Sequence, residues 1–318
     1  MFSIHKKEED GFEKIILKDN AANTYAVILP ACGAILQAFV TDNKGEPINV
    51  IESYESANDF KEHVETKGFL GCKLSPFVCR MKHGTYHFGE KKYTIEKFYL
   101  DKNALHGILY DKPFIIMDET ANELHASITM KYEYRAEDAG YPFNYDCLVT
   151  WQLENDNKLS VTTECINKDE GLIPMQDGWH PYFTLGDSID ELQLEFQSSE
   201  MVEFNNELIP TQNLIPYTEF NSLKKIENTF LDNCFTLNID ACQPMCVLRN
   251  HAKKIEIEIH PGKSYPYLQI YIPPHRKSIA IENISGAPDA FNNGMGFTTL
   301  EPGESALFKT TYKITLLK

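Results

Sequence analysis

Alternation of apolar and polar positions is the dominant signal along this chain. The run Ile255-Glu256-Ile257-Glu258-Ile259-His260 puts three isoleucines on one face and three charged or polar residues on the other, the pattern of a half-buried strand. Stretches of the same kind, rich in β-branched and aromatic residues, lie at 127–134, 145–153, 158–167, 192–196, 268–272, 278–281 and 307–316. They are separated by turn chemistry such as Asp42-Asn43-Lys44-Gly45, Glu154-Asn155-Asp156-Asn157 and Pro302-Gly303. Helical signals are few. The best is Ser56 to Val64, where Ser56 can cap and Asp59 stands at the third helical position. No internal repeat, low-complexity tract or linker divides the sequence. The pattern predicts an all-β chain: a large antiparallel β-sandwich with few short helices, residues 1–318 forming a single domain, and the concave face of one sheet available as a pocket.

Composition narrows the partners. With 42% hydrophobic and 24% charged residues in 318, the chain can bury a substantial core, which excludes disorder as its main state. Lys plus Arg number 30 against 46 Asp plus Glu, a net charge of −16, so the average field repels nucleic acid and anionic membrane. A small neutral or cationic molecule is the expected partner. The N-terminus lacks the apolar core of a secretion signal, and no uncharged apolar run approaches about 18 residues, so the expected location is cytoplasmic. The eight cysteines show no paired CxxC spacing and are expected to be buried free thiols. Cys242-Gln-Pro-Met-Cys246 comes nearest to a ligand pair but has no second pair, and no metal is expected. Asn283-Ile-Ser285 matches a glycosylation sequon, read here as chance.

There is no GxSxG, GxxxxGK[ST] or HExxH, and Gly294-Met295-Gly296 lacks the strand-to-helix setting of a dinucleotide fingerprint, so no cofactor is expected. Two histidines stand in segments dense with turn residues and aromatics: Asn103-Ala104-Leu105-His106-Gly107 and Asp177-Gly178-Trp179-His180-Pro181-Tyr182-Phe183. In the second, Gly178 and Pro181 fix the backbone around His180, and Trp179, Tyr182 and Phe183 offer apolar walls on which a sugar could stack. An ordinary hydrogen-bonded histidine fits each position too, and the residues alone leave both readings open. A third segment, Ile279-Ala280-Ile281-Glu282-Asn283, ends an apolar strand on a carboxylate. Partial burial would raise the pKa of Glu282 and make it a proton acceptor near neutral pH.

Read together, in this order and spacing, the three segments resemble the aldose 1-epimerase (galactose mutarotase) family. The resemblance covers most of the chain, adding Ala31-Cys32-Gly33-Ala34, Gly140-Tyr141-Pro142, Pro288-Asp289-Ala290-Phe291-Asn292 and Leu300-Glu301-Pro302-Gly303-Glu304. It implies a galactose mutarotase-like super-sandwich and an isomerase of carbohydrate metabolism, interconverting the α and β anomers of a free aldose, a hexose such as galactose, without cofactor or metal. By the same resemblance Glu282 is the general base, His180 the general acid, and His106, Arg80, Asp232 and Gln269 bind the sugar. Monomer and homodimer both fit. Departures are Cys79 where the family places Asn before the arginine, and Ile108 where a second glycine follows His106-Gly107. The first puts sugar preference in doubt, and the second suggests a stiffer loop or one closer to the ligand. The Arg- and Trp-rich segment associated with relatives acting on hexose 6-phosphates is not evident, which favours a free sugar. Two other readings compete: a non-catalytic carbohydrate-binding protein, and a glycosidase using two carboxylates such as Glu282 and Asp232.

Overall fold

The computed structural model describes residues 1–318, and its longest strands keep the period-two pattern over much of their length. In Asn144–Glu154, Tyr145, Cys147, Val149, Trp151 and Leu153 are buried while the residues between the last four are half-exposed. In Ile255–Pro261 the three isoleucines are sealed from water. Fully burying an aliphatic side chain stabilises the fold by about 1.5–3 kcal/mol, so a one-residue slip of either strand would forfeit several such terms at once.

Two nine-stranded antiparallel sheets face each other. One runs through Ile115–Ala121, His125–Arg135, Asn144–Glu154, Lys158–Asn167, Ser305–Leu316, Ile255–Pro261, Cys246–Asn250 and Gln193–Phe196 to Lys224–Lys225. The other carries Asp232–Thr236, Tyr267–Tyr271, Ile279–Ile284, Gly178–Trp179 and Lys73–Leu74 as neighbours in that order. Across the interface Trp151 meets Trp179 edge-on, Phe183 meets Tyr312, and the Thr310 hydroxyl donates to Asn283 Oδ1 at 2.7 Å. A five-stranded sheet formed by residues 2–49 leans on the first of these, its Ile15 and Leu17 joining the shared apolar core.

Helix is confined to Ala57–His63, the four residues Ala290–Asn293 and one 3-10 turn. Ser56 caps the first helix as expected, accepting from the Asp59 amide, while the Asp59 carboxylate accepts from the amide of Glu55. No helix is long and apolar enough to cross a membrane. All eight cysteines are free thiols, seven of them buried and Cys242 exposed.

Candidate active site

The residues singled out in the sequence converge on one pocket of about 210 Å3, lined by Glu282, His180, His106, Arg80, Asp232 and Gln269 together. A larger depression of about 1100 Å3 over the N-terminal sheet contains none of them.

Adjacent antiparallel strands supply one wall. Gln269 stands directly opposite Glu282, and Cys234, two residues beyond Asp232, stands opposite Gln269 on its other side. Glu282 does not end its strand. Pairing with Tyr267–Tyr271 and with Gly178 carries the strand through to Ile284, which places the carboxylate within the sheet at 1% exposure. The Gln269 amide donates to Asp232 Oδ1 at 3.0 Å.

His180 enters from the neighbouring segment. Its amide donates to the Cys72 carbonyl and its own carbonyl accepts from Gly71. Alternation then decides which aromatics reach the pocket. Tyr182, two residues on, stacks on the His180 ring at 5.0 Å between centroids and lines the cavity. Trp179 and Phe183 point the other way into the core, so of the three expected apolar walls only Tyr182 is one.

His106 closes the site with its ring edge-on to His180 at 4.8 Å and to Phe69 at 4.7 Å. Its amide donates to the Cys79 carbonyl, and Ile108 donates to Ser75. Ile108 turns into the main core and does not line the pocket. Three residues lining the cavity, Phe69, Cys79 and His106, hold left-handed backbone with φ of 58°, 49° and 62°. Such a conformation costs a non-glycine residue about 1–2 kcal/mol, and clusters of it are characteristic of functional sites.

Glu282 Oε1 lies 3.2 Å from His180 Nε2. Burial pushes the Glu282 carboxyl well above the usual carboxylate range, with Asp232 adding to the rise and Arg80 opposing it. Burial also pulls His180 down to about 3 and drives His106 well below the ordinary histidine value. The Asp232 carboxyl is raised by burial, against the pull of Arg80 and the Gln269 hydrogen bond. Both members of the buried pair therefore favour their neutral forms. Three buried polar atoms on the pocket residues, His106 Nδ1, His180 Nδ1 and Gln269 Oε1, have no hydrogen-bond partner within the protein. Buried polar groups are nearly always paired, so these three atoms are left to meet polar groups of a ligand or water. Cys79 Sγ sits 4.0 Å from Glu282 Oε2, and Cys79, His106 and Glu282 offer donor atoms within 4.8 Å of one another, close enough to share an ion. The Cys242 and Cys246 pair is not part of that group.

The sequence of residues 14–313 matches the family model described as aldose 1-epimerase. The chain belongs to the aldose 1-epimerase family. Among its relatives is an uncharacterized protein, YihR, of Escherichia coli K12, 26% identical over 243 residues, which span 74% of this chain and 76% of that one. The fold is shared with a galactose mutarotase-like protein of Clostridium acetobutylicum, with a TM-score of 0.87, 17% identity and 99% of each chain covered. It is also shared with galactose 1-epimerase of Lactobacillus acidophilus NCFM, with a TM-score of 0.81, 20% identity, and 100% of this chain and 99% of the other covered. These likenesses establish the galactose mutarotase-like sandwich for this aldose 1-epimerase family member.

Sequence reasoning missed several contributors. Phe69, Phe98, Leu105 and Tyr271 supply most of the apolar lining. Beneath the site Lys73 and Asp177, both wholly buried, form an ion pair at 2.5 Å. Lys73 also donates to the Gly178 carbonyl and lies 4.6 Å from the Trp179 ring centroid, while Asp177 accepts from the Tyr265 hydroxyl at 2.6 Å. A lysine inside the apolar run Gly71-Cys72-Lys73-Leu74 was the available signal.

Proposed function

We propose that this protein is a mutarotase, interconverting the α and β anomers of a free aldose with Glu282 as general base and His180 as general acid, and with residues 1–318 acting as one unit. The observation that carries the reading is the chemistry of the pair: an imidazole, not a second carboxylate, stands 3.2 Å from Glu282 on the pocket wall.

Mutarotation needs one proton removed from O1 and one delivered to the ring oxygen. Glu282 takes the O1 proton as the C1–O5 bond breaks, C1 becomes an aldehyde carbon, and O5 receives a proton from His180. Rotation about C1–C2 presents the other face of the carbonyl, and closure with the transfers reversed returns both groups to their starting state. The cycle uses a single proton held by the pair. The resting arrangement, neutral carboxyl beside neutral imidazole, and the reactive one, carboxylate beside imidazolium, differ only in where that proton sits. Arg80, His106, Asp232 and Gln269 bind the remaining hydroxyls, with the unpartnered Gln269 Oε1 as an acceptor. The substrate is expected to be a hexose such as galactose and the setting carbohydrate metabolism in the cytoplasm. Cys79 removes one amide from the sugar's surroundings.

A non-catalytic sugar-binding protein would share the pocket. Glu282→Gln separates the two: it abolishes anomer exchange and leaves sugar affinity by calorimetry within a few-fold in a mutarotase, whereas a binding protein shows no exchange to lose.

A further inference from the structure

Cys79, His106 and Glu282 reach the pocket from three separate segments, so no spacing in the sequence announces them as a group. In the fold each offers one donor atom to a cluster no wider than 4.8 Å, with Cys79 Sγ 4.0 Å from Glu282 Oε2. All three residues are buried, at 4%, 8% and 1% exposure. The backbone holds two of them together, since the His106 amide donates to the Cys79 carbonyl at 2.9 Å. His106 Nδ1 is buried with no hydrogen-bond partner in the protein, so the ring can turn a nitrogen to a ligand without breaking a bond already made there.

Thiolate, imidazole and carboxylate together suit Zn2+ and similarly thiophilic divalent ions, whereas Mg2+ and Ca2+ prefer oxygen alone. Zn2+ sits about 2.3 Å from sulfur and about 2.0–2.2 Å from nitrogen or oxygen, so the three atoms close on one ion with side-chain shifts of about an ångström. A fourth position stays open for water or a sugar hydroxyl. Charge balances as well. The ion displaces the thiol proton of Cys79 and the carboxyl proton of Glu282 to the buffer, and its two positive charges then meet one thiolate and one carboxylate. Arg80 is the one lysine or arginine lining the pocket, against three carboxylates, Glu65, Asp232 and Glu282. An asparagine at 79, the residue the family places before the arginine, would supply an amide and no thiolate, so the donor set arises from this chain's own departure.

We infer that Cys79, His106 and Glu282 form a site for Zn2+ or a similarly thiophilic divalent ion, and that the ion, by occupying the Glu282 carboxylate, holds anomer exchange off. The binding stands on the geometry, and the inhibition rests on the mutarotase reading.

Titration of the reduced, metal-free protein with Zn2+ by calorimetry, and with Co2+ by absorption, tests the site. One ion per chain, a thiolate-to-cobalt absorption band and no binding of Mg2+ at the same concentration are expected. Cys79→Ser, nearly isosteric, should weaken Zn2+ at least about tenfold and remove the band, with circular dichroism reporting that the variant is folded. Cys242→Ser, at the exposed thiol outside the pocket, should change neither. In polarimetry Zn2+ at saturation should slow sugar equilibration by the wild type at least about tenfold, EDTA should restore the rate, and Cys79→Ser should need at least about tenfold more Zn2+ for the same slowing. No Zn2+ binding, binding unchanged in Cys79→Ser or lost in Cys242→Ser, or exchange at the full rate with the ion bound would overturn the inference and leave the mutarotase reading standing. No exchange by the metal-free protein on any sugar would overturn that reading and the inhibition with it, while the titrations decide the site by themselves.

Discussion

His180 Nε2 and Glu282 Oε1 lie 3.2 Å apart, with their side chains 5% and 1% exposed. Burial moves the two groups in opposite directions, the carboxyl upward and the imidazole down to about 3, each toward its neutral form, which widens the pH range over which the pair holds one proton. In the proposed reaction, losing it leaves no acid for the ring oxygen. Gaining a second leaves no base for O1. The dependence of kcat/KM on pH should therefore be bell-shaped. The acid limb falls near the lowered His180 value, far below the ordinary 6.5, and the alkaline limb falls where the raised Glu282 carboxyl ionises. Rates from about pH 5 to about pH 9 check this: activity undiminished as pH falls through 6.5 is expected, and a decline centred there would contradict it.

Lys73 and Asp177 form a wholly buried ion pair at the root of the segment that carries His180. Removing one partner strands the other's charge, so Lys73→Met should cost about 3–5 kcal/mol of stability in denaturant titration. The pair also ties the strand at 73–74 to the segment at 177–180, and the Asp177 amide donates to Ser285 Oγ, three residues beyond Glu282. Turnover should fall with it. The double change Lys73→Met with Asp177→Leu removes both charges and should recover most of the stability, but not the turnover.

Gly107 follows His106 at φ +73°, and a Cβ there would run into the Ser75 carbonyl. Gly107→Ala should destabilise by roughly 2–4 kcal/mol, since the opposing atom is backbone and cannot swing aside. The His106 ring should move with the loop and KM should rise. A thermal melt and a saturation curve on the same variant read both effects.

Ile257→Ala opens a cavity at a position sealed from water between the two large sheets. A loss of about 2–5 kcal/mol is expected, with kcat unchanged under conditions where the variant is folded. Separate measurement of stability and turnover distinguishes this core residue from Lys73.

Much of this was legible in the sequence because strands write a period of two. The alternation of isoleucine and glutamate at 255–258 needs no partner to be read, and it positions the whole strand. Glu282 was harder. The apolar run Ile279 to Ile281 looks finished at the carboxylate, and only the cross-strand partners, Gln269 and the glycine at 178, carry the strand onward. The same alternation, applied from His180, would have sent Trp179 and Phe183 to the core. The motif Pro288-Asp289-Ala290-Phe291-Asn292 turned out to be scaffold. The Asp289 amide donates to the Arg80 carbonyl and its carboxylate accepts from Lys82, fixing the strand from which Arg80 reaches the pocket. The Lys73–Asp177 pair joins residues far apart in the chain and leaves no periodic trace.

The central claim is that Glu282 and His180 together move the protons of ring opening. Polarimetry of freshly dissolved α-D-glucose and α-D-galactose, with the wild type, Glu282→Gln and His180→Asn, tests it most directly against the uncatalysed rate in the same buffer. The account predicts rapid equilibration by the wild type on at least one sugar, and a loss of about 10²–10⁴-fold in each variant. A wild-type rate equal to that of buffer, or either variant equilibrating the sugar as fast as the wild type, would contradict it.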